Sequence, residues 1–316
     1  MNSNIAAILG ALIADSATLG LHWIYDPKRI AEIETSKGLV FLQPEASHYA
    51  GIKGYFAHGG KAAGESTGYG EVCLLMLLHL VKHGNFNRIE YQIEYRALFG
   101  SGGTFIGYID APTRLTLHTL SSLDPAAFPV ASGADDDQFL SLAALPALVA
   151  THTDALEVLM KRVDEMVRVT NNNDIAVTAA QCSAAALFEI LHGTPIKQAL
   201  ADALQFAGDT LRPLLEQALA VQTMDSIAVA KHFGFGCHVP EGLPVVFHIA
   251  QCAPDYQTAI KANIRTGGDN CGRAIMLGAF IAAHMAKQGG SIFPVPLEWL
   301  ARYRKIVVAA DACAKL

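Results

Sequence analysis

Residues able to do chemistry gather in a few short stretches of this chain. Thr266-Gly267-Gly268-Asp269-Asn270-Cys271-Gly272-Arg273 leads into the apolar run Ala274–Ala283. Its paired glycines permit close approach of the backbone to a ligand, and Asp269 stands where a helix should begin, so the helix dipole would stabilise its carboxylate. Capping alone explains Asp269, but Gly-Gly-Asp-Asn-Cys-Gly exceeds what a cap needs. Asp15 and His22 lie seven residues apart, two turns of helix, and so share one face. Asp135, Asp136 and Asp137 offer hard oxygens to a cation such as Mg²⁺, but consecutive residues point in different directions, so a solvated helix N-terminus is the better reading.

Other signals are excluded by context. Gly64-Glu65-Ser66-Thr67-Gly68 has the G-x-S-x-G spacing of a nucleophile elbow. That device needs a strand before the serine, and Gly59-Gly60-Lys61-Ala62-Ala63 is none, so Ser66 or Thr67 reads as a helix cap. The 12 histidines form no H-E-x-x-H, and the 6 cysteines form no C-x-x-C, so neither a zinc site nor a disulfide framework is expected.

The elements that must position these residues are helical. Apolar residues make up 52% of the 316 and charged ones 16%, enough for a large core. They recur at helical spacing over Asn4–Leu21, Gly70–His83, Phe139–Thr151, Thr153–Val169, Asp174–His192, Pro195–Gly208, Leu211–Val221, Leu243–Cys252, Pro254–Ile264 and Gly272–Gly289. β-Strand alternation is nearly absent and no linker divides the chain, so a single all-α, multi-helix domain over 1–316 is expected. Glu34–Ser66, Phe99–Asp137 and Phe233–His238 break the pattern, and such segments in a helical domain are expected to line a cleft. Apolar runs such as Phe139–Ala150 fall short of the roughly 18 residues of a membrane span. The start lacks the basic region of a signal peptide, so a cytoplasmic protein without membrane contact is expected. A net charge of −6 spread without a basic block argues against nucleic-acid binding.

Taken together, the pattern resembles the ADP-ribosylglycohydrolase superfamily, in the branch that groups with J-crystallins. Gly10–Asp26 looks like the first helix and Lys61–Glu71 like the second motif of that branch. Gly107–Arg114 and Phe233–Cys237 resemble further segments, Gly267–Asn270 falls at the final motif, and Pro296–Leu300 is similar to the closing tryptophan helix. The resemblance implies a cleft for an ADP-ribose-type ligand and, in active members, two Mg²⁺ or Mn²⁺ ions that help a water cleave a glycosidic bond. Carried over residue by residue, that ligand set is depleted. Thr67 and Asp269 match as metal ligands. His22 replaces a glutamate, Gly68 and Tyr69 replace two aspartates, and Cys271 and Gly272 replace an aspartate and a threonine. Each lost carboxylate removes about one charge that would offset the cations, so no ordinary dinuclear site is expected, with Mg²⁺ or Mn²⁺ at most partly bound.

Two readings follow from the resemblance. In the first, a hydrolase of altered mechanism, His22, Glu71, Asp110 and Asp269 converge as acid–base groups. Tyr69, Gly267, Gly268 and Asn270 contact the ligand, Arg114 or Arg273 pairs with a phosphate, and the loop of Phe233, Gly234, Gly236 and Cys237 stacks on a base. In the second, the chain is a catalytically silent small-ligand binder or crystallin-like scaffold.

Overall fold

A computed structural model describes residues 1–289 and 293–316. Its helices are α1 Ser3–Thr18, α2 Pro27–Lys37, α3 Gly68–His83, α4 Arg88–Phe99, α5 Ala111–Leu120, α6 Leu145–Ala150, α7 Leu156–Thr170 and α8 Asp174–His192. There follow α9 Ile196–Ala203, α10 Gly208–Ala220, α11 Ser226–Phe233, α12 Val239–Cys252, α13 Tyr256–Thr266, α14 Asn270–Lys287, α15 Leu297–Arg302 and α16 Ile306–Cys313. No strand occurs among the described residues, and the fold is all-α.

At the centre, α1 packs along α14 more extensively than any other pair. Both are apolar on every side, as a helix must be to lie in the middle of a core, and both are rich in small residues. A Cβ on Gly10 would stand 2.6 Å from the Gly278 carbonyl oxygen, and one on Gly278 2.4 Å from that of Gly10. Only glycine at both positions lets the two backbones come this near. Against this pair lie α3 and α6 on the α1 side, and α8, α12 and α13 on the α14 side.

Helix ends follow local chemistry. Thr67 caps α3 by accepting the Tyr69 N–H, which fits the capping reading of the Gly64–Gly68 stretch. Asn173 caps α8, and left-handed Gly84 and Gly193 end α3 and α8. Asp269 caps α14 through the Gly272 N–H.

Three expected elements differ. Phe139–Thr151 is a 3₁₀ turn, Phe139–Leu142, followed by α6, because Pro146 sits in the first turn of the second piece. The long irregular segments contain helices: α2 begins at Pro27 behind the Asp26 cap and runs into Glu34–Ser66, while α5 begins behind the Asp110 cap inside Phe99–Asp137. Helix α4, absent from the periodic set, buries only Tyr91, Gln92, Tyr95 and Phe99. By length and composition Ser3–Leu21 and Asp174–His192 could cross a membrane, and both lie largely inside this core.

Candidate functional site

The end of α1, the start of α3 and the start of α14 meet in one buried place. His22, just past α1, directs Nε2 to Asp269 Oδ1 at 2.7 Å and Nδ1 to His58 Nε2 at 2.7 Å. Tyr69, in the first turn of α3, donates its hydroxyl to Asp269 Oδ2 at 2.9 Å. The Gly272 N–H adds a bond to Oδ1 at 3.0 Å. None of His22, His58, Tyr69 and Asp269 is more than 4% exposed. Burial works to raise the Asp269 carboxyl, but the His22 bond and charge and the Gly272 N–H outweigh it and hold the group below the usual carboxylate range. Burial pushes the Tyr69 hydroxyl far up and the His58 imidazole well down.

Seven residues before His22, within α1, Asp15 is enclosed. Its Oδ2 accepts the Thr67 N–H at 2.9 Å and its Oδ1 accepts the Thr67 hydroxyl. Burial raises its carboxyl to about 7. The expected shared helical face does not form, because α1 ends at Thr18 and His22 follows a 3₁₀ turn, Leu19–Leu21, in extended backbone. Each residue has its own partner, Thr67 for Asp15 and Asp269 for His22.

An aromatic layer covers the imidazoles. Trp23 stacks on His22 at 4.1 Å and lies 6.0 Å from His58, and Tyr55 and Tyr108 pack against Trp23 at 5.7 and 5.0 Å. Trp23 takes φ 61, a left-handed backbone rare for a bulky residue. This conformation lets its N–H reach the Gly268 carbonyl at 2.9 Å and its carbonyl accept the Tyr55 N–H at 3.1 Å. Strain of this kind collects at functional places.

The glycines of the final motif approach protein and not an open ligand site. A Cβ on Gly268 would lie 2.1 Å from the Phe235 carbonyl oxygen, and one on Gly267 2.6 Å from that of Ile24. The turn is threaded between two other backbones. Asn270 donates to the Leu21 carbonyl and its own carbonyl accepts from Asn263. Arg273, fully buried, gives Nε to Asn263 and Nη2 to Thr266 and the Gly267 carbonyl, while Nη1 has no hydrogen-bond partner among the described residues.

The other proposed site residues scatter. Asp110 caps α5 through the Thr113 N–H at 2.9 Å, and burial with the charges of Asp136 and Asp269 nearby lifts its carboxyl to about 6. Glu71 lies apart from the His22–Asp269 cluster and pairs with Lys305 Nζ at 2.6 Å. Arg114 is exposed and donates to the Ile109 carbonyl. In the Phe233–His238 loop, Phe233 packs edge-on to His232 at 4.7 Å. Gly234, with φ 126, and Gly236 fold the loop round Glu241, which accepts the Gly236 N–H at 2.7 Å. Half-buried Cys237 has its thiol pushed up to about 12 by burial. The three aspartates diverge, Asp135 to Asn173, Asp136 to Gln138 and Asp137 to His238. His58 was absent from the sequence-based set. Its signal was its place in the aromatic, glycine-rich segment marked as cleft-forming.

The matching family model is ADP-ribosylglycohydrolase, over residues 3–316. The chain belongs to the ADP-ribosylglycohydrolase family. Its relatives include crystallin J1A of Tripedalia cystophora, 29% identical with 98% of this chain and 96% of the relative covered. Crystallin J1B of the same animal is 28% identical, with 94% and 90% covered. A solved structure described as an ADP-ribosylglycohydrolase-related protein complex superposes with a TM-score of 0.70 at 17% identity, covering 99% of this chain and 96% of that one, which supports the fold.

The residues of this ADP-ribosylglycohydrolase family member do not fit a pair of divalent cations. Both Asp269 oxygens already accept protein hydrogen bonds, and both Asp15 oxygens are held by Thr67. Cys271 Sγ lies 3.1 Å from the Thr18 hydroxyl, and burial keeps this soft thiol protonated. Among the described residues, the group of three His, Cys, Asp or Glu ligand atoms that converges closely is His79, His83 and Glu94, elsewhere in the fold. There the Asn87 N–H occupies His79 Nε2, which puts the ring proton on the Nδ1 that faces Glu94.

Proposed function

We propose that this chain binds an ADP-ribose-type ligand without a dinuclear metal centre and acts on its glycosidic bond through the histidine pair. The observation that carries this reading is the polarity of the buried chain. Ionised Asp269 only accepts, so His22 Nε2 must donate to it. Taking both rings as neutral, as this proposal requires, His22 Nδ1 is an acceptor and His58 Nε2 donates to it. That leaves a lone pair on His58 Nδ1, an atom with no partner among the described residues. The arrangement follows the logic of a carboxylate-oriented histidine base, lengthened by one imidazole.

In the proposed step, His58 Nδ1 takes a proton from water as the water oxygen bonds the ribose anomeric carbon. The glycosidic bond breaks, and its electron pair leaves with the departing group. Asp110, outside the hydrogen-bonded cluster but within electrostatic reach of Asp269 and raised to about 6, would supply that group's proton. The Asp269 charge stabilises the imidazolium that forms.

A second reading has its own support. Asp15, Thr67, Asp269 and Tyr69 satisfy one another so fully that the cluster also serves as a structural core, and the curated relatives are named as crystallins. Calorimetry with ADP-ribose, in EDTA and in excess Mg²⁺, separates the two when paired with release of free ADP-ribose from a modified substrate. The expected result is metal-independent binding and slow turnover, with His58→Gln lowering turnover by roughly 100-fold and affinity far less. An absolute need for Mg²⁺ refutes the metal-free site, and absence of both binding and turnover overturns this reading, leaving the scaffold or a different ligand.

A further inference from the structure

Glu71, a motif residue left outside the histidine cluster, leads to a second site. It lines a cavity of about 220 Å³ with Lys61, Glu65, Phe105, Arg304 and Lys305 among its walls. Lys305 is taken up by Glu71, and Glu65 Oε2 accepts the Ala62 N–H at 2.6 Å. Lys61 is different. It is 8% exposed, its ammonium has no hydrogen bond or ion pair among the described residues, and its near contact is the face of Phe105 at 4.5 Å. Arg304 spends Nε on the Ala63 carbonyl, and its terminal nitrogens make no hydrogen bond among the described residues.

A buried ammonium with no direct hydrogen-bond or ion-pair partner is costly, even with the charges of Glu71, Glu65 and Asp15 acting on it through space. Here the cavity walls carry Lys61, Arg304 and Lys305 against Glu65 and Glu71, a surplus of one positive charge. Arg304 offers a planar fork suited to two oxygens of an oxyanion, and Lys61 a point charge beside a water-poor aromatic wall. Burial also lowers the Lys61 ammonium, a change that a bound anion would reverse.

We propose that this cavity is a binding site for a phosphate-type oxyanion, either free phosphate or the phosphate end of a larger molecule, held by Lys61 and Arg304. Its lining includes none of His58, His22 and Asp269.

The test is calorimetric and thermal titration of the full chain with sodium phosphate, against sodium chloride at matched ionic strength. A saturable heat and a rise in melting temperature are expected. Lys61→Met should weaken binding by roughly tenfold or more and Arg304→Gln several-fold, while Tyr69→Phe leaves it unchanged. Arg304 is exposed and Arg304→Gln should fold, so the test stands even if Lys61→Met does not. A phosphate ester that binds more tightly than phosphate identifies the larger source. The proposal is overturned if wild type shows no saturable effect, if both cavity variants match wild type, or if Tyr69→Phe abolishes binding.

Discussion

Asp269 and Asp15 are both fully buried carboxylates near the meeting of α1, α3 and α14, and their titrations shift in opposite directions. Asp269 is surrounded by donors on three elements and stays ionised. Asp15 has Thr67 alone, with the Glu71 charge nearby, and burial dominates. Its folded pKa of about 7 exceeds the unfolded value of about 3.9. The stability it contributes is therefore fully present below about pH 4 and is lost as pH rises through about 7. Asp15→Asn removes that titration, so urea unfolding of the variant should show a flatter loss of stability from pH 4 to pH 7 than wild type. At pH 8 it should be less destabilised than at pH 5, or even stabilised, by on the order of 1 kcal/mol or more. Equal pH slopes for the two proteins would exclude the assignment. The sequence spaced Asp15 and His22 as if on one helical face, but α1 ends at Thr18, and nothing in the spacing said that their partners come from the starts of α3 and α14. His58 escaped for a related reason: a histidine in an irregular loop has no periodicity to aim it.

At the scale of elements, the contact of α1 with α14 sets the geometry of everything else, because His22 and Asp269 sit at adjoining ends of that pair. Gly278→Leu would drive a side chain into the Gly10 carbonyl and Ala14, and backbone cannot yield as a side chain does. Destabilisation by about 3 kcal/mol or more is expected from denaturant midpoints. A cost below about 1 kcal/mol would show that the helices can separate. Gly268→Ala, at φ 64 and against the Phe235 carbonyl, should fail similarly and also shift the Asp269 cap. The strongly periodic helices were legible, as were the caps at Thr67 and Asp269. Helix α4 was not, because its buried face of Tyr91, Tyr95 and Phe99 is set among charged neighbours and its packing comes from distant elements.

The whole molecule keeps the family's all-α architecture while the donors at its centre bind one another. Since bound ligand stabilises a fold by mass action, at about 2.7 kcal/mol for a hundredfold excess over Kd, metal affinity is readable in melting temperature. Millimolar Mg²⁺ should leave the midpoint within about 1 °C of that in EDTA, whereas a tight dinuclear site would raise it by several degrees. Such a rise would mean that Asp269 and Asp15 exchange their protein partners for cations. The sequence by itself determined the helical class and the family resemblance, because periodicity and residue type are local properties. Tertiary structure alone decided that the remaining groups face inward. It turned Gly267, Gly268 and Arg273 toward protein, set Glu71 against Lys305, and gave Asp269 its histidine. Those outcomes depend on which backbones lie within a few ångströms, and chain order does not specify that.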